Sequence, residues 1–213
     1  MTFITHVARV VIVTLTLAPA AAAAVIDVPV MPLVIRLYAE PALGPETRTP
    51  ALDEARRILA DAGFAAEWLA CAPGRPAADR CAVPMRGAEL AVRIVSVPGH
   101  PDEHGRQTLG YSLVDPKTKA GTLATVYLDR VSWLAVASHA DVAALLGRAI
   151  AHEIGHLLLG TAGHSPSGVM RAIWSSDSVR NSRADDWRFA PGEARQMQTA
   201  ALMRAAATQL ASR

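Results

Sequence analysis

Two histidines and a glutamate stand at a spacing that suits metal chemistry. His152, Glu153 and His156 form the pattern His-Glu-x-x-His. On a helix, residues four apart are rotated by only about 40°, so both imidazoles face one side and can share a Zn²⁺ ion. Glu153 is displaced around the helix, so its carboxylate can serve as a general base towards water activated by the metal. The alternative is that both histidines are ordinary polar residues of a helix face.

A zinc site that keeps one position open for water needs a third protein ligand. His164 follows His156 after a segment that contains Gly160, and glycine permits the left-handed backbone of a sharp turn. The sequence therefore predicts that His164 folds back onto the metal. A downstream carboxylate is the alternative, and the candidates are Asp177, Asp185, Asp186 and Glu193.

Residues 151–170 resemble the metzincin clan of zinc peptidases, whose pattern is HExxHxxGxxH followed by a methionine turn. The His-Ser pair before a methionine is similar to the matrixin version. The resemblance implies a mixed sheet with a backing helix, an active-site helix and a small C-terminal helical subdomain. It also implies that the strand at 122–128 is the sheet edge that aligns a peptide substrate. The matching residues, in order, are His152, Glu153, His156, Gly160, His164 and, for the methionine turn, Met170.

The chain departs from the metzincin pattern at the helix exit. Gly160 comes four residues after His156 instead of three, and His164 comes eight after it instead of six. The turn that delivers His164 must therefore differ in geometry from the turn of the best-known families. No tyrosine follows Met170 closely, so the tyrosine that assists the metal in some metzincins has no counterpart here.

The pattern of apolar residues predicts an α/β (α+β) fold. A helix with Asp141 as its N-cap and Gly160 at its end should carry the histidines. Pro50 after Thr49 predicts the start of another helix, which should stop at Gly63. Strands are expected at 33–38, 64–69, 88–97, 109–114 and 122–128, the last two as a hairpin, and a final helix at 193–210.

Length and charge limit the function classes. The 213 residues suit one domain, and 51% apolar residues supply a core. The net charge of +2, with 21 basic and 19 acidic side chains scattered along the chain, disfavours binding to nucleic acid. The predicted organisation is a catalytic N-subdomain at 25–164, with the mixed sheet and zinc helix, and a C-terminal subdomain at 165–213.

The N-terminus is typical of a secretory signal. An apolar stretch follows Arg9 and ends in alanines, which predicts a signal peptide at 1–24 with cleavage near Ala24 and no membrane span afterwards. A membrane anchor is the alternative. In an oxidising compartment Cys71 and Cys81 should form a disulfide across a Pro/Gly-rich loop, although free thiols or metal ligation are alternatives.

The remaining histidine pair, His100 and His104, stands in a Pro/Gly-rich stretch and is interpreted as solvated. With the metzincin resemblance, the motif residues predict an exported zinc metalloendopeptidase that acts on protein or peptide substrates. Two other hypotheses stay open: a zinc hydrolase of non-peptide amides, and an exported binding module with a non-catalytic zinc site. An intact Glu153 speaks against a purely structural site, which needs no base.

Overall fold

The computed structural model describes residues 30–71, 80–97 and 108–211 of the chain. The predicted signal peptide at 1–24 lies outside the described residues, and so do His100 and His104. Most of the loop between the two cysteines, residues 72–79, lies outside them as well.

A mixed five-stranded sheet forms the centre of the fold, which is α/β as predicted. Its strands are β1 (Met31–Ala39), β2 (Phe64–Ala70), β3 (Leu90–Val95), β4 (Gly110–Asp115) and β5 (Ala120–Tyr127). They lie in the order β2-β1-β3-β5-β4. The first four in this order are parallel to one another, and β4 is antiparallel to β5, with which it forms the expected hairpin.

The expected sheet edge is wrong by one strand. β5, which covers most of the predicted edge strand at 122–128, lies inside the sheet between β3 and β4, so β4 is the outer strand. Burial explains the placement: Ala124 and Val126 of β5 are fully buried, whereas Leu113 of β4 is 54% exposed. A strand with such a buried face is most stable with a neighbour on each side.

Five α-helices and a short 3-10 helix complete the described part of the chain. Helices α1 and α3 pack against each other, and α3 also packs against β4 and β5. The elements are α1 (Pro45–Asp61), α2 (Leu128–Ser138), α3 (Val142–Leu159), α4 (Ser176–Arg180), the 3-10 helix Ala184–Trp187 and α5 (Pro191–Ala211).

Helix α1 begins earlier than its proline pattern predicts. Pro45 is the first helical residue, after Gly44, and Pro50 lies inside the helix instead of at its start. Proline suits the first helical position because its φ is already helical and its missing N–H is not needed there. Pro50 removes one further backbone hydrogen bond near the helix start, and the residues Ala51 and Ala55 that follow it are buried.

Helix α3 forms as the sequence predicts and lies in the core. The Asp141 carboxylate accepts a hydrogen bond of 2.7 Å from the Ala144 N–H, which caps the first turn. Gly160 ends the helix in the left-handed conformation, with φ 65°. The helix is long and apolar enough to cross a membrane, but 78% of it is buried inside the protein, as in the core helix of a globular domain.

The two cysteines form the expected disulfide, Cys71–Cys81. The segment after Cys81 is also held by the buried guanidinium of Arg36 on β1, which donates to the Val83 carbonyl at 2.8 Å. Arg36 makes a hydrogen-bonded ion pair with Glu89, with side chains only 3% and 9% exposed. Two independent links therefore attach this segment to the sheet.

Candidate metal centre

Helix α3 places the imidazoles of His152 and His156 together on its buried side. Their Nε2 atoms lie 3.0 Å apart, and the two residues are only 9% and 6% exposed. His152 Nδ1 lies 2.7 Å from the Val169 carbonyl oxygen, and His156 Nδ1 lies 2.8 Å from the Thr161 carbonyl oxygen. Because a carbonyl oxygen only accepts, each Nδ1 carries the hydrogen and donates it.

The facing Nε2 atoms fit a metal ion. Burial lowers the pKa of His152 to about 3 and also lowers the pKa of His156, so both rings are neutral near pH 7. With the hydrogen on Nδ1, each Nε2 presents a lone pair, and neither atom can donate to the other. Two lone pairs directed at one point in a buried place favour a bound cation, and imidazole nitrogen is a preferred ligand of zinc.

His164 joins this pair from the loop after α3. Its ring centre lies 5.3 Å from that of His152 and 4.8 Å from that of His156. The ligand nitrogens of the three residues all lie within 4.8 Å of one another, as a site for one metal ion requires. The three histidines thus form a cluster that can hold zinc, with His164 on its exposed side.

The left-handed Gly160 and two hydrogen bonds set the path that brings His164 back. The Gly163 N–H donates to the Thr161 hydroxyl at 3.0 Å, which tightens the turn after the helix. The Ser165 N–H donates to the Met170 carbonyl oxygen at 2.9 Å, which closes the loop that follows His164. Of the two residues inserted relative to the pattern HExxHxxGxxH, one lengthens the buried end of α3 before Gly160, and the other lies in this exposed turn.

The alternative carboxylate ligands are engaged elsewhere. Glu193 accepts from the Ala190 N–H at 2.7 Å at the start of α5, and it also contacts the Ser165 hydroxyl. Asp186 accepts from the Arg183 N–H, and Asp177 and Asp185 pair with arginines on their own segments. Within the described ranges, the three-histidine cluster is the group of potential ligands that can hold a metal, and it contains no carboxylate.

The Glu153 carboxylate lies beside the cluster, between α3 and the outer strand β4. It is 5% exposed, and the Ser112 hydroxyl of β4 lies 2.7 Å from its Oε2 atom. Burial raises the pKa of Glu153 to about 7, and the hydrogen bond from Ser112 opposes part of this rise. A carboxyl group with this pKa can both accept and release a proton near neutral pH.

Met170 lies in a tight turn beneath helix α3. The turn is closed by a hydrogen bond from the Arg171 N–H to the Gly168 carbonyl oxygen. Met170 is fully buried, and a Cβ atom on Gly155 would lie 2.5 Å from its sulfur and 2.6 Å from the Phe189 ring, so a larger residue there would have to displace these side chains. The neighbouring Val169 carbonyl oxygen accepts the hydrogen bond from His152 Nδ1. The same turn therefore holds both Met170 under the helix and one histidine of the cluster.

A cavity of about 590 Å³ opens in front of the histidines and Glu153. Its apolar walls include Trp133 and Leu134 of α2 and Trp174, whose ring meets His152 edge-on at 5.5 Å. Neither Ser112 nor helix α2 is among the features predicted from the sequence. The apolar residues of α2 at positions 128, 131 and 134–135 have helical spacing, which is a usable signal for this helix.

The comparisons with known proteins leave the family open. No protein-family model matches the chain, and no curated protein matches it significantly. A zinc-dependent peptidase from Methanocorpusculum labreanum (strain Z) is similar in structure, with a TM-score of 0.48 and 18% sequence identity. The similarity covers 76% of this chain and 99% of that one. A likeness this distant defines neither the family nor the activity of this chain.

Proposed function

We propose that the protein is an exported zinc-dependent metalloendopeptidase. In this proposal His152, His156 and His164 hold the metal, and Glu153 is the general base. The observation that carries it is the convergence of two buried imidazole lone pairs, 3.0 Å apart, beside a buried carboxylate in one cavity. A bound zinc ion would supply the polarisation of the scissile carbonyl and the acidification of water.

The residues of the chain would then provide the proton transfers. Glu153 accepts a proton from the attacking water and delivers it to the leaving amine. Its pKa of about 7 suits both steps, because a group with a pKa near the working pH exchanges protons in either direction. Met170 supports the site from below as a methionine-turn residue, in agreement with its fully buried position under α3.

The position of β4 at the edge of the sheet favours a peptide over a small amide as the substrate. β4 pairs with β5 along one side, and residues 108–112 line the cavity in front of the histidines. An extended peptide can add to such a strand through backbone hydrogen bonds. The apolar walls at Trp133 and Trp174 can cover an uncharged side chain next to the scissile bond.

Export is supported by the Cys71–Cys81 disulfide, because disulfides persist mainly in oxidising compartments. It is also supported by the signal-like pattern of residues 1–24, with cleavage near Ala24. Mass spectrometry of the protein recovered from outside the cytoplasm should therefore give a chain that starts near residue 25. Recovery of the full-length chain in a membrane fraction would favour the anchor instead.

Zinc analysis and peptide cleavage test the proposal together. The wild type should contain about one zinc per chain and cleave members of a broad fluorogenic peptide library. Glu153→Gln should keep the zinc content, because the residue is no ligand, and lower kcat/KM about 100-fold or more. Equal cleavage by both proteins would refute the base assignment.

Two further outcomes separate the competing hypotheses. A zinc-containing wild type that cleaves no peptide but hydrolyses small amides would point to the non-peptide hydrolase. A zinc-containing wild type without either activity would point to the binding module. A protein without zinc would overturn the metal centre itself.

A further inference from the structure

The hydroxyl of Ser112 contacts the catalytic candidate Glu153 at two places. Ser112 Oγ lies 2.7 Å from Glu153 Oε2 and 2.7 Å from the Glu153 backbone carbonyl oxygen. We propose that Ser112 is a positioning residue, which holds Oε2 so that Oε1 is directed to receive the proton, while Gly110 leaves the room that Oε1 occupies. The inference rests on the proposed function of Glu153 as the general base.

The alternation of β4 places both residues on the face that meets α3. Gly110 and Ser112 are two apart on the strand, so they face the same side. A Cβ atom at position 110 would lie 2.8 Å from Glu153 Oε1 and 3.0 Å from Glu153 Cδ. The nearest atom to that Cβ would be the Thr125 carbonyl oxygen of β5, at 2.6 Å. A larger residue at 110 would therefore press on both β5 and the carboxylate, so this strand segment encloses the carboxylate closely.

Ser112 is the side chain that fixes this orientation. Among the described residues, it provides the one hydrogen bond found for the Glu153 carboxylate, which is otherwise enclosed by packing. A glutamate side chain has three rotatable bonds, so burial alone leaves its carboxylate several rotations. Since a misplacement of about 1 Å can cost two orders of magnitude in rate, the hydrogen bond has a direct effect on proton transfer.

The hydroxyl has one hydrogen and two nearby acceptors. The Glu153 carbonyl oxygen already belongs to the hydrogen-bond ladder of α3, whereas a carboxylate forms the stronger, charge-assisted bond. The Ser112 O–H therefore donates to Oε2 when Glu153 is ionised, and the lone pairs of Oε1 remain for the incoming proton. When the proton is on Oε1, the same donor still holds Oε2, so the carboxyl group keeps its place through both transfers.

The test compares Ser112→Ala with Ser112→Thr in the zinc-loaded protein. The alanine variant should keep the zinc content and melting temperature, lower kcat by about tenfold or more, and change KM by less than about twofold. Threonine keeps the hydroxyl and suits a strand, so it should restore most of kcat. Thr122→Ala removes an exposed hydroxyl from the neighbouring strand β5 and should match the wild type.

A double variant shows whether Ser112 acts through Glu153. In the Glu153→Gln background, Ser112→Ala should lower kcat no further, because no base is left to position. An independent loss of the same size in both backgrounds would overturn the inference, and so would a kcat of Ser112→Ala equal to that of the wild type. A change in KM alone would also overturn it, since it would place Ser112 in substrate binding.

Crystal structures of the zinc-loaded wild type and Ser112→Ala give a readout that needs no activity. We expect the Glu153 carboxylate to have one orientation in the wild type and to rotate or to occupy several orientations in the variant. An unchanged carboxylate in the variant would refute the positioning role. If the wild type cleaves no peptide while the carboxylate still moves in the variant, the proposed function fails and the positioning contact stands.

Discussion

Replacement of His164 by alanine tests the third metal ligand most directly. His164 is exposed on a loop and is held near the other two imidazoles, 4.8 Å from the His156 ring centre, by the turn that follows α3. Its loss should leave the fold intact and remove one nitrogen from a three-nitrogen site. Removing a residue that only hydrogen-bonds to a metal ligand already lowers the metal affinity about 10- to 100-fold. Loss of the ligand itself should therefore lower the zinc affinity about 100-fold or more.

The expected change in thermal stability follows from ligand linkage. At a free zinc concentration of about 1,000 times Kd, binding stabilises the folded wild type by about 4.1 kcal/mol. A 100-fold weaker site at the same concentration retains about 1.4 kcal/mol, so the variant loses about 2.7 kcal/mol of zinc-dependent stability. For a chain of this size the melting temperature changes by about 2–4 °C per kcal/mol, which gives about 5–11 °C.

The assay is calorimetry with a buffered zinc concentration and with a chelator. The zinc-dependent rise in melting temperature should be smaller by this amount in His164→Ala, while the chelated proteins should melt at similar temperatures. Asp177→Asn is the matched control, because its carboxylate is exposed and was an alternative ligand from the sequence. A full zinc effect in His164→Ala, together with a reduced one in a carboxylate variant, would refute the three-histidine site.

Three other changes test the cavity, the disulfide and the buried ion pair. In steady-state assays, Trp133→Ala should raise KM about tenfold for peptides with a large apolar side chain and leave KM unchanged for peptides with only small side chains. Equal effects on both kinds of peptide would exclude an apolar subsite. Replacing Cys71 and Cys81 by alanine should lower the free energy of unfolding by about 2–3 kcal/mol in urea titrations, and alkylation without reductant should find no thiol in the wild type. Glu89→Ala should cost about 3–5 kcal/mol because it leaves Arg36 charged and buried without its partner, so a stability near wild type would contradict that account.

Local signals were sufficient to predict the element that carries the site. Helix α3 begins after Asp141 and ends at Gly160 because a side-chain cap and a left-handed glycine are properties of single residues. Four-residue spacing then brings His152 and His156 together without knowledge of the rest of the fold. The strands were found for the same reason, since alternation and apolar content are read along the chain.

The parts that failed depend on contacts between distant segments. The sequence of β5 shows a half-buried strand, but its place inside the sheet depends on β3 pairing on its other side. The contact between Ser112 and Glu153 depends on the β4–β5 register and on the approach of α3 to β4. Neither can be recognised from the serine or its neighbours in the sequence. The predicted start of α1 at Pro50 is wrong, because Pro45 also suits the first helical position and the helix begins there.

The contacts that hold the three histidines explain which spacings between the motif residues can vary along the chain. His152 and Met170 are coupled, because the Val169 carbonyl accepts from His152 Nδ1 while Met170 packs against Gly155. The distance along the chain from His164 to Met170 is limited as well, since the Ser165 N–H closes this loop on the Met170 carbonyl oxygen. The turn between Gly160 and His164 is anchored at Thr161, whose carbonyl oxygen accepts from His156 Nδ1, and its tip at Ala162 and Gly163 is exposed. An insertion at this tip, after Thr161, therefore lengthens an exposed loop and leaves the histidine cluster, the Glu153 carboxylate and Met170 in place.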